Sequence, residues 1–337
     1  AGSVLYGLPA KTQISLSHMR YHEYHDFDAF AESIRDVDAR MVLVNPKRHV
    51  WTSSALQLQG INLQTGWLGS GNLAQAGLSE DFYLFYLPTT PGIEYKANGT
   101  VLQRNSFAVV EPGSEFCIAT KDPHNWSGAF VPKALLGDLP VDVPSNSRLP
   151  SCWMSRPNRE ASNRFRTLVS QVMTTASDYT DFESTVAAKV AARDVIEIVK
   201  SVRREPVVNR STREGRPKMP RARIIQTCMD FIEQLTDPHV AVSELAKTAG
   251  VSERTVRSAF NEYFGVGPSR YFYLRRLNLI HRALCAAEPE GTTVTMILAE
   301  HGEWDFGRFA SNYRQLFGEL PSATLLKNKL SPRKAGF

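Results

Sequence analysis

A short run of residues near the C-terminal end of the chain occurs twice. Phe264-Gly265 followed by Pro268-Ser269 is repeated 53 positions later as Phe317-Gly318 followed by Pro321-Ser322. Glycine suits the left-handed turn that ends a helix, and proline is well tolerated in the first turn of the next helix. A repeat of this kind indicates two copies of one supersecondary unit. We therefore expect two related helical units in the last third of the chain.

The first unit, residues 240–265, has the pattern of a helix-turn-helix motif. Ala246 is small enough for two helices to approach, Gly250 suits the tight turn, and Val256 anchors the second helix. Ser252 is placed to cap that second helix at its N-terminus. Polar side chains of such a helix can reach base edges or phosphates in a major groove. The candidate DNA-contacting residues here are Ser252, Arg254, Thr255, Arg257, Ser258 and Asn261.

The second unit, residues 294–318, follows a long helix that the apolar periodicity predicts from Pro268 to about Ala287. Its second helix offers fewer side chains that can donate to bases, so we expect the first unit to contribute more specificity. Its arginines could still bind phosphate. The candidate DNA-contacting residues of this unit are Asp305, Phe306, Gly307, Arg308, Ser311 and Arg314.

The paired Phe-Gly-x-x-Pro-Ser endings, together with Pro268-x-x-Tyr271-x-x-x-x-Arg276-Leu277, resemble the DNA-binding domain of the AraC/XylS family. The resemblance covers roughly residues 221–330. It implies an all-α, homeodomain-like domain in which one long helix joins two helix-turn-helix units that enter successive major-groove segments. The second unit departs from the family pattern at Leu298, Glu303 and Ser311, where the family typically has alanine, an aromatic residue and arginine.

Residues 39–131 read as β-rich, because short apolar runs such as 41–44, 82–87 and 106–110 are separated by turn signals. Many short strands at this spacing favour a barrel or a sandwich. Two amphipathic helices follow, the second across Phe182 to Arg203. In its layout, this α+β region of residues 4–203 resembles the family's cupin-like domain for effector binding and dimerisation, so we expect a homodimer formed through the helices at 160–203.

Residues 204–220 form a basic, proline-containing linker between the two domains. Residues 200–220 hold 7 Lys/Arg against 2 Asp/Glu, and the segment from Arg221 onward holds 15 against 12. Positive charge at this end of the chain suits a polyanionic partner. The expected partner is double-stranded promoter DNA, with RNA polymerase as a further candidate. The expected location is the cytoplasm, on the nucleoid and away from membranes.

Aromatic and polar residues of the β region could line a cavity for an apolar or aromatic small molecule. The candidates are Tyr83, Tyr86, Tyr95, Arg104, His124 and Trp126. A filled β core without a ligand is the equally weighted alternative. Bulky aromatic residues of the second helical unit, including Trp304, Phe309 and Phe317, are expected in its core.

Two other functions remain open at this stage. One is a metal-dependent cupin enzyme fused to a DNA-binding domain, although residues 39–131 contain only His49 and His124 as histidines. The other is an adaptor whose second unit no longer reads DNA. His18, His22 and His25 have a spacing that could place them on one helix face, but we expect no metal site, no cofactor and no catalytic residues.

Overall fold

The computed structural model describes residues 20–137, 152–179, 181–204, 221–234 and 240–330. Two antiparallel sheets form most of the N-terminal region, and the C-terminal region is entirely helical. The strands are Arg20–Tyr24 (β1), Val37–Val44 (β2), Trp51–Leu58 (β3), Ile61–Leu68 (β4), Gly71–Leu78 (β5), Phe82–Pro88 (β6), Tyr95–Ala97 (β7), Thr100–Val101 (β8), Ala108–Val110 (β9), Glu115–Thr120 (β10), His124–Pro132 (β11) and Cys152–Met154 (β12). The helices are Phe27–Ser33 (α1), Lys133–Leu136 (α2), Arg159–Asp178 (α3), Val186–Arg203 (α4), Arg221–Glu233 (α5), Val242–Thr248 (α6), Glu253–Phe264 (α7), Pro268–Ala286 (α8), Val294–Glu300 (α9), Phe306–Phe317 (α10) and Pro321–Leu330 (α11).

The two sheets have the orders β1-β3-β4-β11-β6-β9-β12 and β2-β5-β10-β7-β8. Their facing sides share one apolar core, which includes Leu73, Tyr86, Ile118 and Trp126. This arrangement confirms the predicted β-rich region and extends it at the N-terminal side to β1. His22 lies in β1 and His25 in the bend after it, so these two histidines do not lie on a helix face as their spacing suggested. His18 and the linker residues 205–220 lie outside the described residues.

Helices α3 and α4 pack on each other and on the outer side of the larger sheet. Phe165 on α3 and Val195 on α4 are fully buried in a second apolar cluster with Phe85 of β6 and Phe107, which immediately precedes β9. Helix α4 begins at Val186 rather than at Phe182, because Thr185 accepts a hydrogen bond from the backbone of Ala188 and caps the helix there. The residues just before the cap form a separate 3-10 turn.

The C-terminal repeat reflects two equivalent helix endings. Gly265 ends α7 with φ of 74°, and Gly318 ends α10 with φ of 80°. Both are left-handed conformations in which a side chain is strained. Pro268 and Pro321 then occupy the starts of α8 and α11. The structure confirms two helix-turn-helix units, α6–α7 and α9–α10, with α8 between them.

The core of the C-terminal region is largely aromatic. Phe260 and Phe264 of α7 contact Tyr271 of α8, and Phe309 and Tyr313 are buried in the second unit. Trp304 does not join this core. Its side chain is 83% exposed, so the prediction of a core position is wrong. The turn residue Glu303, rather than Trp304, faces inward at this point.

Helix α8 lies against the smaller sheet and joins the two regions. Asn278 accepts a hydrogen bond from the backbone N–H of Leu43 at 3.1 Å, and Tyr271 donates to Gln75 at 2.8 Å. All four groups are polar and at least partly buried. These hydrogen bonds therefore fix the position of α8 on the smaller sheet more closely than apolar packing alone would. In the described ranges, no helix has the length and apolar content needed to cross a membrane.

Candidate nucleic-acid interface

The first helix-turn-helix unit has the geometry that its sequence predicts. Gly250 takes a φ of 63° in the turn, and Ser252 accepts a hydrogen bond from the backbone of Thr255 at 3.2 Å. Val256 is fully buried where α6 and α7 meet, and Ala246 lies almost fully buried beside it. These contacts fix the direction of α7 and therefore the face that it exposes.

The N-terminal half of α7 is open to solvent. Arg254 is exposed in the first turn, and no ion pair joins it to another residue of the described ranges. Arg257 is also exposed but pairs with Glu253 one turn earlier at 3.1 Å. The backbone and hydroxyl of Ser252 hold Thr255, which is half-buried. Arg254 is thus the cation of α7 with the fewest competing contacts.

The C-terminal half of α7 is engaged within the protein. Ser258 donates to Glu262 at 2.9 Å, and Glu262 also pairs with Arg221 of α5 at 3.0 Å. Lys96 of the smaller sheet donates to the backbone carbonyl of Asn261 at 3.2 Å. These contacts place Asn261 beside the β region, although its side chain is exposed.

The second unit presents its candidates on the open face of α10. Asp305 accepts a hydrogen bond from the backbone of Arg308 at 3.1 Å and therefore caps the helix. The other candidates, Phe306, Gly307, Arg308, Ser311 and Arg314, are all exposed. Within the part of the chain that the structure describes, neither arginine of α10 forms an ion pair.

Glu303 has a structural partner that accounts for its departure from the family pattern. Its carboxylate lies 2.7 Å from Nε of Arg276 on α8, and both side chains are less than one-fifth exposed. A buried acidic residue here needs such a cation. The neighbouring Trp304 is then left outside, next to the exposed Phe306. Sequence reasoning missed Trp304 as an exposed residue because its hydrophobicity alone assigned it to the core.

The residues predicted to bind a small molecule lie in three different places. Tyr86, Trp126 and His124 line a small cavity of about 70 Å³ between the two sheets. Tyr95 and Arg104 line an outer cleft of about 590 Å³. Tyr83 lies on the other side of the larger sheet, under the guanidinium of Arg203.

The outer cleft has a positive lining. Arg104 comes from the loop before β9, whereas Arg159 and Arg166 come from α3, and none of the described residues in the wall of the cleft is acidic. Arg166 donates to Asn105 at 3.2 Å, which holds its guanidinium in place. Burial, together with the nearby charge of Arg104, lowers the pKa of Arg166. Like charges held together in a concave site favour an anionic ligand.

His49 and His124, on which the enzyme alternative depends, have structural partners. His49 donates from Nε2 to the carbonyl of Leu316 at 3.1 Å, and His124 contacts the carbonyl of Asp122 at 3.0 Å through Nδ1. Neither belongs to a group of potential metal ligands in the described ranges. Nothing in these contacts favours metal-dependent catalysis in the β region.

Comparison with known proteins agrees with this geometry. The family model of a helix-turn-helix domain matches residues 245–327. The XylDLEGF operon transcriptional activator 1 of Pseudomonas putida is 34% identical over 102 residues, which are 30% of this chain and 31% of that relative. The match thus spans about a third of that protein. The XylDLEGF operon transcriptional activator 2 of the same organism is 31% identical over 117 residues, covering 35% of this chain and 71% of that relative.

Among solved structures, the AraC-like transcriptional activator CuxR is 13% identical and has a TM-score of 0.38, with 83% of this chain and all of that chain covered. The family assignment therefore depends on the sequence relatives and on the helix-turn-helix match. One relative above 30% identity is covered over more than two thirds of its length. The chain belongs to the AraC/XylS family of DNA-binding transcription regulators.

Proposed function

We propose that the chain controls transcription as a homodimer that binds promoter DNA through both helix-turn-helix units and responds to a small anionic molecule. The observation that carries the DNA-binding part is that α7 and α10 both expose basic faces. Both helices also pack in one domain with α8. Two units held in this way can reach successive major-groove segments of one duplex.

The two units have different roles in this proposal. Arg254 reads bases because it lies in the first turn of α7, where recognition helices contact base edges, and because no acidic side chain among the described residues pairs with it. Arg308 and Arg314 hold phosphates beside α10. Trp304 and Phe306 give this unit apolar contacts with sugars or thymine methyl groups. Asn261 is left out of the base-reading set because it lies beside Lys96.

Replacing Arg254 by alanine is expected to weaken binding to a specific site by 10- to 100-fold, equivalent to about 1–3 kcal/mol, while changing affinity for random duplex little. The matched control is Arg308→Ala, an exposed arginine of the other unit. It should weaken binding to specific and random DNA alike, and it should reduce the slope of log affinity against log salt concentration by about one. Fluorescence anisotropy titrations at several salt concentrations measure both effects. If Arg254→Ala lost as much affinity for random DNA as for the specific site, Arg254 would contact a phosphate and not a base.

The length of the protected DNA tests whether both units work. Two units in successive major-groove segments protect about two helical turns, or ~20 base pairs, for each subunit. Protection of only one turn would leave α10 without a DNA-binding role and would favour the adaptor alternative. Footprinting with the full chain gives this length directly.

A homodimer is supported by apolar side chains left exposed around the α3–α4 connection. Val186 is 77% exposed, Tyr179 is 61% exposed, and Val190 lies one turn further along α4 and is 47% exposed. Both valines belong to the second of the two amphipathic helices, and the described residues of the chain leave their side chains largely open to solvent. Clustered exposed apolar residues of this kind are typical of protein contact sites.

Size and charge favour the outer cleft as the effector site. Small-molecule sites typically have volumes of about 300–1,000 Å³, which fits the cleft and not the much smaller cavity between the sheets. Arginine guanidinium groups bind carboxylates and phosphates in a fixed, bidentate geometry. We therefore assign a small carboxylate or phosphate as the ligand of this cleft. For the space between the sheets, we favour the alternative of a filled β core without a ligand.

Arg104→Gln is expected to reduce the affinity of an anionic effector at least tenfold, because charged hydrogen bonds are worth about 1.5–3 kcal/mol. Thermal-shift screening of a library of carboxylates and phosphates on the wild-type chain identifies the ligand, and titration of the variant tests the site. Tyr86→Phe, on the wall of the inner cavity, is the control and should bind as the wild type does. If Tyr86→Phe abolished ligand binding and Arg104→Gln retained it, the ligand would bind in the cavity between the sheets and not in the outer cleft.

A further inference from the structure

The structure assigns a zinc-binding site to Asp26, His281 and Cys285, at the contact between the β region and the DNA-binding domain. One potential ligand atom from each residue lies within 4.8 Å of the other two. Asp26 belongs to the N-terminal region, whereas His281 and Cys285 belong to α8. A bound ion would therefore join the two domains directly.

Local structure places all three side chains toward one point. His281 and Cys285 are four residues apart on α8 and so share one face of the helix. Asp26 caps α1, and its Oδ1 accepts a hydrogen bond from the backbone of Ala29 at 2.7 Å. Its other oxygen, Oδ2, lies 3.5 Å from Nε2 of His281. The cap thus fixes the carboxylate and leaves one oxygen available to a cation.

The two distances from His281 to the other ligand atoms fit the edges of a tetrahedral zinc site. Nε2 of His281 is 3.5 Å from Oδ2 of Asp26 and 3.6 Å from Sγ of Cys285. Zinc bonds nitrogen and oxygen at about 2.0–2.1 Å and sulfur at about 2.3 Å. With tetrahedral angles, those bonds separate nitrogen from oxygen by about 3.4 Å and nitrogen from sulfur by about 3.6 Å. His281 is thus correctly spaced from both other ligand atoms, and the distance between the Asp26 oxygen and the Cys285 sulfur, which is within 4.8 Å, becomes about 3.6 Å when the ion is bound.

A chain of hydrogen bonds orients the imidazole of His281. Glu319 accepts from the hydroxyl of Thr324 at 2.8 Å, so Thr324 in turn accepts from Tyr313 at 2.9 Å. The Tyr313 oxygen must then accept from Nδ1–H of His281, at 2.6 Å. The neutral imidazole consequently directs the lone pair of Nε2 toward the carboxylate and the sulfur. Metal-binding histidines are typically oriented by such a hydrogen bond from their other nitrogen.

An uncompensated lone pair facing a carboxylate is unfavourable, so a proton or a metal ion must lie between them. A thiolate, an imidazole and a carboxylate together form the donor set that zinc prefers among divalent ions.

The position of the site gives the ion a role in joining the domains. Arg282 next to the site already pairs with Asp28 of α1 at 2.8 Å. A metal ion adds a stronger bond at the same contact and restricts movement of α8 relative to the β region. The Asp26 side chain is 47% exposed, which leaves access for the ion and for water as the fourth ligand.

Metal titration of the full-length, reduced and metal-stripped chain tests the proposal. Cobalt(II) should bind in one equivalent with a thiolate-to-cobalt charge-transfer band, and zinc should displace it and raise the thermal midpoint. Cys285→Ser should abolish the band. Asp26→Asn should lower zinc affinity at least tenfold while retaining the helix cap, because asparagine caps as well as aspartate.

Asp28→Asn is the matched control, since it removes the neighbouring ion pair with Arg282 but no ligand. It should bind zinc as tightly as the wild type does. Circular dichroism of each variant confirms folding. The proposal is overturned if the wild type takes up no stoichiometric metal, if Cys285→Ser and Asp26→Asn bind as the wild type does, or if Asp28→Asn loses affinity equally.

Discussion

Replacing Phe260 by alanine is expected to lower the free energy of unfolding of the DNA-binding domain by about 3–5 kcal/mol. Phe260 is fully buried, and its ring meets Phe264, Tyr271 and Phe272 at centroid distances of 5.5–5.6 Å. Alanine removes these contacts and leaves a cavity that a ring of aromatic neighbours cannot close. Since domains are commonly stable by about 5–15 kcal/mol in total, much of the DNA-binding activity should be lost at elevated temperature.

Trp304→Ala is the control for this prediction, because it removes a still larger aromatic ring from the same domain. Its side chain is 83% exposed, so its loss should change stability by less than about 0.5 kcal/mol. Denaturant unfolding followed by circular dichroism measures both variants. A cost for Phe260→Ala below about 1 kcal/mol, or equal costs for the two, would contradict the packing described above.

The helix-turn-helix units could be predicted from the sequence because local chemistry determines them. Gly250, Gly265 and Gly318 all take the left-handed conformation that their turns require, and Ser252 and Asp305 cap the helices that follow. Each of these signals acts within a few residues of its own position. The type and boundaries of α6–α10 follow from such short-range rules with little need for tertiary information.

The placement of individual side chains depended on contacts that the sequence does not reveal. Tyr83 and Tyr86 are three positions apart and therefore point to opposite faces of one strand, so they cannot line the same cavity. Trp304 was assigned to the core by its hydrophobicity, but the ion pair of Glu303 with Arg276 occupies the inward position instead. Strand alternation alone separates the two tyrosines, whereas the face that lines the inner cavity and the exposure of Trp304 depend on partners distant in sequence.

The docking of the two domains bears on how α7 meets DNA. Tyr263 at the end of α7 donates to Asn98 at 3.0 Å, and Lys96 contacts the carbonyl of Asn261. The β7–β8 hairpin therefore covers the C-terminal end of the recognition helix. Arg254 at the other end stays exposed, so this docked arrangement leaves free the residue proposed to read bases.

Acidification from pH 6.5 to pH 4 is expected to destabilise the β region through His124 by about 3 kcal/mol. Burial lowers the pKa of His124 to about 4, against hydrogen bonds to backbone carbonyls of Asp122 and Ser70 that raise it. Because the unfolded chain takes up this proton near pH 6.5 and the folded chain only near pH 4, the unfolded state binds more protons between these values. Stability therefore falls as the pH falls through this window and levels off below it.

His124→Gln tests this assignment, because glutamine is polar and does not titrate. Besides the backbone carbonyls of Asp122 and Ser70, His124 contacts the ring of Tyr95 at 5.3 Å and the hydroxyl of Thr120 at 3.2 Å, and neither side chain is charged in this range. Urea unfolding of both chains at pH 7, 5.5 and 4 should show the wild type losing about 3 kcal/mol more than the variant. Parallel pH profiles would mean that His124 is protonated in the folded state and that the buried imidazole is not the source of acid sensitivity.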